Sequence, residues 1–246
     1  TRTRKQRRSL KGGEKRCGYA GEKKPAHDGR KRFVVGAIGP GTKLPSLGHI
    51  SYDELEASII PQAEGLILGK ADVFLIETSQ DPLQIKAAVN AARIAMQKMK
   101  VTLPIMTQVT VETTGTMLMG SEIGAALTTL EPLGIDMIGL NCATGPAEMS
   151  EHLRQLSKFS TVPIMVMPNA GLPELTADGA RYPLGPEELA IAHEQVEQRD
   201  RIGRTPLPGL PGAVPPNRTR QHKPHERGPA FQVDDRGRPL AATAED

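Results

Sequence analysis

The sequence predicts an α/β fold, with about five βα units forming part of an eight-stranded barrel, flanked by two segments that do not fold. Three observations lead there. Short runs that are apolar throughout recur along the middle of the chain, as expected of parallel strands covered on both faces. Segments with apolar residues at helical spacing lie between them, and a strand–helix repeat of about 30 residues implies βαβ units with right-handed crossovers. Polar residues or glycines follow each run: Gly39-Pro40-Gly41, Glu77-Thr78, Thr110-Val111-Glu112, Asn141-Cys142 and Asn169-Ala170-Gly171. In a barrel those strand ends converge on one mouth, where active sites sit. An open doubly wound sheet is the alternative, but no Gly-x-Gly-x-x-Gly follows a strand, so dinucleotide binding has little support.

The strands come in order. Phe33–Ile38 reads as the first, Asp72–Glu77 as the second, Leu103–Val109 as the third, Asp136–Asn141 as the fourth and Val162–Met167 as the fifth. The intervening helices are equally legible. Over Tyr52–Gly69, Leu55, Ile59, Ala63, Leu66 and Ile67 share one stripe. Asp81–Met99 does the same with Leu83, Ile85, Ala88, Val89 and Ala92. Ser121–Leu133 stops before Gly134, a residue suited to end a helix. Pro146–Phe159 opens with proline at a first-turn position and carries Met149, Leu153 and Leu156 on one face.

Charge divides the chain into three. Residues 1–32 carry 13 Lys/Arg against 3 Asp/Glu, the middle has a net charge of −10, and residues 198–246 return to a net of +3. The sequence therefore predicts a basic disordered tail over 1–32, a folded body over 33–197 and a Pro/Arg-rich disordered tail over 198–246, which holds 8 of the 21 prolines. The run Arg2–Arg8 has the composition of a nucleic-acid or nuclear-import patch. A solvated tail explains it as well, and the charge of the acidic body argues against a nucleic-acid partner. No apolar run is long enough to span a membrane, and the basic start lacks the apolar stretch of a signal peptide, so the expected location is cytoplasmic.

Cys142 is the leading candidate for chemistry. It ends an apolar strand just before a helix, where a thiol faces whatever the strand ends build, as a soft metal ligand or a nucleophile. A buried strand cysteine is more often plain packing. The chain has one other cysteine, Cys17, far upstream, so no disulfide framework exists and the cysteines alone do not close a zinc site. Glu77 ends another apolar strand, where an unpaired carboxylate is costly to bury; it suits a ligand ammonium, a base or a helix cap. Asn141 flanks Cys142. Asn169 either hydrogen-bonds a substrate or shapes a turn. His49, His152 and His193 show no metal-ligand pairing, and His152 is expected on a helix surface.

Residues from about Arg32 to Gln195 resemble the homocysteine-binding domains of cobalamin-dependent methionine synthases. The motifs that carry the resemblance are Val35-Gly-Ala-Ile-Gly-Pro-Gly-Thr-Lys-Leu-Pro45, Leu75-Ile-Glu-Thr78 and Val109-Thr-Val-Glu-Thr-Thr-Gly-Thr-Met117, followed by Ile138-Gly-Leu-Asn-Cys-Ala-Thr-Gly-Pro146 and Met167-Pro-Asn-Ala-Gly-Leu-Pro173. The resemblance implies a (βα)8 TIM barrel of which strands 3–7 are present. It implies that Cys142 is the first of three zinc-binding cysteines, and that zinc favours the homocysteine thiolate at neutral pH. That thiolate attacks the methyl group of methylcobalamin, which other domains of the parent enzyme present, with folate bound by a further domain. Glu77 then holds the homocysteine amino group, with Asn141 and Asn169 beside the substrate.

The chain departs from the family pattern at both ends. The family's other two zinc ligands are adjacent cysteines in a glycine-rich loop, and no Cys-Cys occurs here. Family-like residues give way abruptly to basic low-complexity ones, so the ends are expected to be frame-shifted or mis-called translations around a genuine fragment. Two open sheet edges, weak zinc binding and no activity in isolation are the corresponding expectations. Two other functions remain open: a cobalamin-independent homocysteine S-methyltransferase, and a non-catalytic protein acting through its basic and proline-rich tails.

Overall fold

A computed structural model describes residues 9–12, 14, 33–177 and 179–200 of the chain. The centre is a five-stranded parallel sheet: β1 (Val35–Ile38), β2 (Val73–Ser79), β3 (Ile105–Val109), β4 (Met137–Asn141) and β5 (Ile164–Met167), hydrogen-bonded in that order. The helices between them are α1 (Tyr52–Leu68), α2 (Pro82–Met99), α3 (Ile123–Leu130) and α4 (Pro146–Phe159), with short 3-10 turns at Pro45–Leu47 and Glu131–Leu133. A hairpin of β6 (Glu174–Thr176) and β7 (Gly179–Arg181) and a helix α5 (Pro186–Asp200) follow.

Spatial order equal to chain order settles the choice between the two α/β architectures. A doubly wound sheet reverses direction at a switch point; this one never does. One face of the sheet, carrying Ile38, Phe74, Ile76, Ile105, Val109, Ile138 and Leu140, packs against α1–α4 in the main core. The other carries Val73, Leu75 and Met106, joined by Met137 and Met165. Helices outside and a second apolar layer inside make this a barrel arc. Among the described residues β1 and β5 each pair on one side only, so the inner face opens at the margins, where Val35 and Met167 are about half exposed.

Local chemistry explains the helix starts. Ser51 and Glu54 close a capping box at α1: the Ser51 hydroxyl accepts from the Glu54 N–H at 3.3 Å, and the Glu54 carboxylate accepts from the Ser51 N–H at 3.2 Å. Asp81 caps α2, accepting from the Leu83 N–H at 2.9 Å, with Pro82 at the first helical position. Glu148 reaches back from the first turn of α4 to the Gly145 N–H at 3.0 Å.

The expected strands and helices appear with boundaries within two or three residues, and Ser121–Leu133 divides into α3 and a 3-10 turn. The hairpin and α5 carried no signal strong enough to read from sequence. Of the basic segment, Ser9–Gly12 and Glu14 are described as helical, and the Leu10 backbone lies against Gly65 of α1. The rest of 1–32, including Arg2–Arg8 and Cys17, and residues 201–246 lie outside the described residues. No helix among the described residues is long and apolar enough to cross a membrane.

Candidate functional site at the strand ends

Alternation along each strand decides which side chains enter the barrel. Phe74 and Ile76 face the helices, so Val73, Leu75 and Glu77 face inward. By the same parity Met106 and Gln108 on β3, and Met137, Gly139 and Asn141 on β4, share the inner face. The candidate residues Glu77 and Asn141 thus lie on one surface near the C-terminal ends of neighbouring strands, with Cys142 one residue further along.

Asn141 binds these ends together. It is only 3% exposed. Its Oδ1 accepts from the Thr78 N–H at 3.0 Å, and its Nδ2 donates to Thr78 Oγ1 at 2.7 Å and contacts Cys142 Sγ at 3.3 Å. Thr110, at the end of β3, donates its hydroxyl to the Asn141 backbone carbonyl at 3.1 Å. One side chain therefore connects the ends of β2 and β4, and both its polar atoms are engaged.

Three non-glycine residues here have left-handed backbone: Thr78 at φ 58°, Cys142 at φ 58° and Ala143 at φ 56°. Each such residue costs about 1 kcal/mol or more, and clusters of them mark functional sites. At Thr78 the β2–β3 register shifts between Ile76 and Ser79. At Cys142 and Ala143 the chain turns sharply from β4 into the loop preceding α4. The Cys142 N–H donates to the Met167 carbonyl at 3.2 Å, and the Asn169 N–H to the Thr144 carbonyl at 3.1 Å. These bonds carry β4–β5 pairing past the strands and bring the Asn169 loop beside Cys142. A Cβ at Gly145 would sit 2.7 Å from Gly171 Cα, so the two loops touch only because residue 145 is glycine.

Cys142 is a free, partly exposed thiol, and Glu77 and Asn169 are partly exposed as well. Carboxylate, thiol and amide at one mouth can hold a small zwitterion bearing a soft atom. Among the described residues no cluster of three or more His, Cys, Asp or Glu side chains could hold a metal ion. Cys142 supplies one thiolate where zinc takes four ligands, so the described residues do not by themselves fit the metal. His152, expected at the surface, is half-buried on α4, and burial lowers its pKa from the ordinary histidine value.

Sequence reasoning passed over Gln108. It sits on the inner face of β3 at 0% exposure, and neither Oε1 nor Nε2 has a hydrogen-bond partner. A buried amide left unpaired costs about 1–3 kcal/mol per group. The signal was a lone long polar residue near the end of an apolar run, readable only once the strand's inner face is known.

Comparison with known proteins follows the same line. The family model for homocysteine S-methyltransferases matches residues 13–203. The methionine synthase of Mycobacterium tuberculosis is 62% identical over 163 residues, which is 66% of this chain and 14% of that protein. That of Mycobacterium leprae is 62% identical over 162 residues, 66% of this chain and 13% of that protein. The chain therefore spans about one-seventh of the length of these relatives. The apo crystal structure of the homocysteine methyltransferase MmuM from Escherichia coli superposes with a TM-score of 0.52 at 20% identity, covering 73% of this chain and 68% of that one, a likeness of fold. Sequence, strand order and fold agree, and the chain belongs to the homocysteine S-methyltransferase family.

Proposed function

We propose that residues 33–197 are the homocysteine-binding unit of a methionine synthase, presenting the homocysteine sulfur as the acceptor of a methyl group. What supports this reading most is strand alternation, by which Glu77 follows Val73 and Leu75 onto the sheet surface that also carries Asn141, with the Cys142 thiol at the adjoining strand end. Family membership and the identity to mycobacterial methionine synthases support it.

The roles follow from chemistry. Glu77 accepts hydrogen bonds from the ligand ammonium, a charge-assisted contact. Asn169, on the loop tied to Thr144 beside Cys142, offers an amide near the sulfur end of the ligand. Asn141 acts on the ligand through its neighbours, because its own amide is committed to Thr78 and Cys142. Cys142 would supply one thiolate to a zinc site whose other ligands are not among the described residues, and zinc held there would favour the thiolate form of the homocysteine sulfur. Methylcobalamin and folate would reach the sulfur from other domains of the parent enzyme. We place this chemistry in the cytoplasm, where a free thiol stays reduced.

The test is calorimetric titration of the chain with L-homocysteine, alongside elemental analysis for zinc. Glu77→Gln is expected to weaken binding by about 10- to 100-fold, the loss of a hydrogen bond to a charged group. Cys142→Ser is expected to remove whatever zinc the chain carries. A chain with no affinity for homocysteine would sink the proposal.

A further inference from the structure

Gln108 is a fully buried amide with both polar atoms unpaired, held on the inner face of the barrel arc just below the mouth. Native interiors rarely leave such groups alone, and each exception asks for a partner. The surroundings narrow what that partner is. Register pairs Gln108 with Gly139 on β4, which has no side chain to hydrogen-bond the amide. On the other side Ile76 pairs with Thr107 and Ser79 with Val109, so Glu77 and Thr78 together lie opposite Gln108 across the register shift. Met106 lies below, in the inner apolar layer. Above, Thr110 and Asn141 are hydrogen-bonded to each other, and Asn141 holds Thr78, so neither competes for the amide.

We propose that Gln108 is a specificity-determining residue that recognises the head group of an α-amino acid. Its Nε2 donates to the α-carboxylate and its Oε1 accepts from the α-ammonium, which Glu77 neutralises. An amide is one donor and one acceptor on a single rigid plane, which matches a zwitterion better than it matches either charge alone. Distance along the sheet is consistent. Cys142 is three residues beyond Gly139, a rise of roughly 10 Å. A four-carbon amino acid with its sulfur near Cys142 and a hydrogen bond at its other end spans that separation. The identity of the ligand rests on the homocysteine reading above; recognition of the head group does not.

Gln108→Met, nearly equal in size and without hydrogen-bonding groups, is titrated with L-homocysteine and with L-homoserine, which keeps the head group and replaces the thiol by a hydroxyl. The variant is expected to lose at least tenfold in affinity for both ligands, while the unfolding midpoint of the ligand-free chain stays the same or rises. A structural role would show the reverse, with a lower midpoint and unchanged affinities, and would overturn the assignment. Should the methionine variant not fold, Gln108→Asn, which withdraws the amide by one methylene, carries the same comparison; retained affinity there also overturns it. Wild-type binding of homoserine but not homocysteine, lost on substitution, would support Gln108 and reject the homocysteine reading. Binding of neither ligand rejects both.

Discussion

The Asn141 side chain closes a two-point clamp on Thr78, accepting from its backbone N–H at 3.0 Å and donating to its hydroxyl at 2.7 Å across 63 residues of sequence. Thr78 is one of the left-handed residues, so the clamp holds a conformation its backbone would otherwise leave. Asn141→Leu removes the acceptor and leaves a partly buried N–H without one. The expected cost is about 2–4 kcal/mol in urea denaturation, from the lost bonds and the orphaned donor. Homocysteine affinity should fall with it, because Glu77 and Cys142 flank the clamped residues. A variant as stable as wild type would show that the strand ends hold themselves.

Much of this was legible in the sequence because parallel strands and amphipathic helices write strong patterns. The apolar runs ending at Ile38, Val109, Asn141 and Met167 match β1, β3, β4 and β5, since burial on both faces leaves little choice of residue. The candidates Glu77, Asn141, Cys142 and Asn169 fall at one mouth because every barrel strand delivers its C-terminal end there. What stayed hidden depends on side-chain direction. Asn141 read as a substrate contact, yet its amide is engaged within the fold. Gln108 looked like one more residue of a strand, and only inward parity exposes it. The hairpin β6–β7 offers three residues per strand, all exposed, so no burial pattern marked it.

Gly139 is what lets β4 and β5 approach as closely as they do. A Cβ there would lie 2.0 Å from the Met165 carbonyl oxygen, a backbone atom that cannot swing aside. Gly139→Ala should therefore force the strands apart and cost upwards of about 3 kcal/mol, or prevent soluble expression. Gly39 is the matched control. Nothing lies within 4 Å of its added Cβ, so Gly39→Ala should fall within about 0.5 kcal/mol of wild type. Parallel denaturation of the two variants checks the contrast.

Asp81 ties the loop after β1 to the second helix. It is 0% exposed, accepts from the Ser46 N–H at 2.9 Å and the Ser46 hydroxyl at 2.8 Å, and caps α2 through the Leu83 N–H. Gln84 assists from one turn on, donating to the Lys43 carbonyl at 3.2 Å and to that of Pro40. Asp81→Ala removes the cap and both loop contacts, an expected loss of about 2–4 kcal/mol. Limited proteolysis should then cut within 39–48 faster than elsewhere. Unchanged cleavage would show that the loop is held by other means.

His152 gives the fold a predictable acid limb. Burial lowers its pKa below the ordinary value, and the nearby Glu151 carboxylate opposes that only in part. The folded state therefore favours the neutral ring. Above about pH 6.5 the histidine is neutral in both folded and unfolded chains and contributes a constant term. As pH falls below that, the unfolded chain takes up its proton first, and stability is lost progressively until the pH passes the lowered folded value. His152→Gln removes this titration. The difference in unfolding free energy between wild type and variant should be flat from pH 8 to about 7 and move against wild type towards pH 5. A difference that stays flat over the whole range would mean that the α4 face around His152 accepts the charged ring as readily as water does.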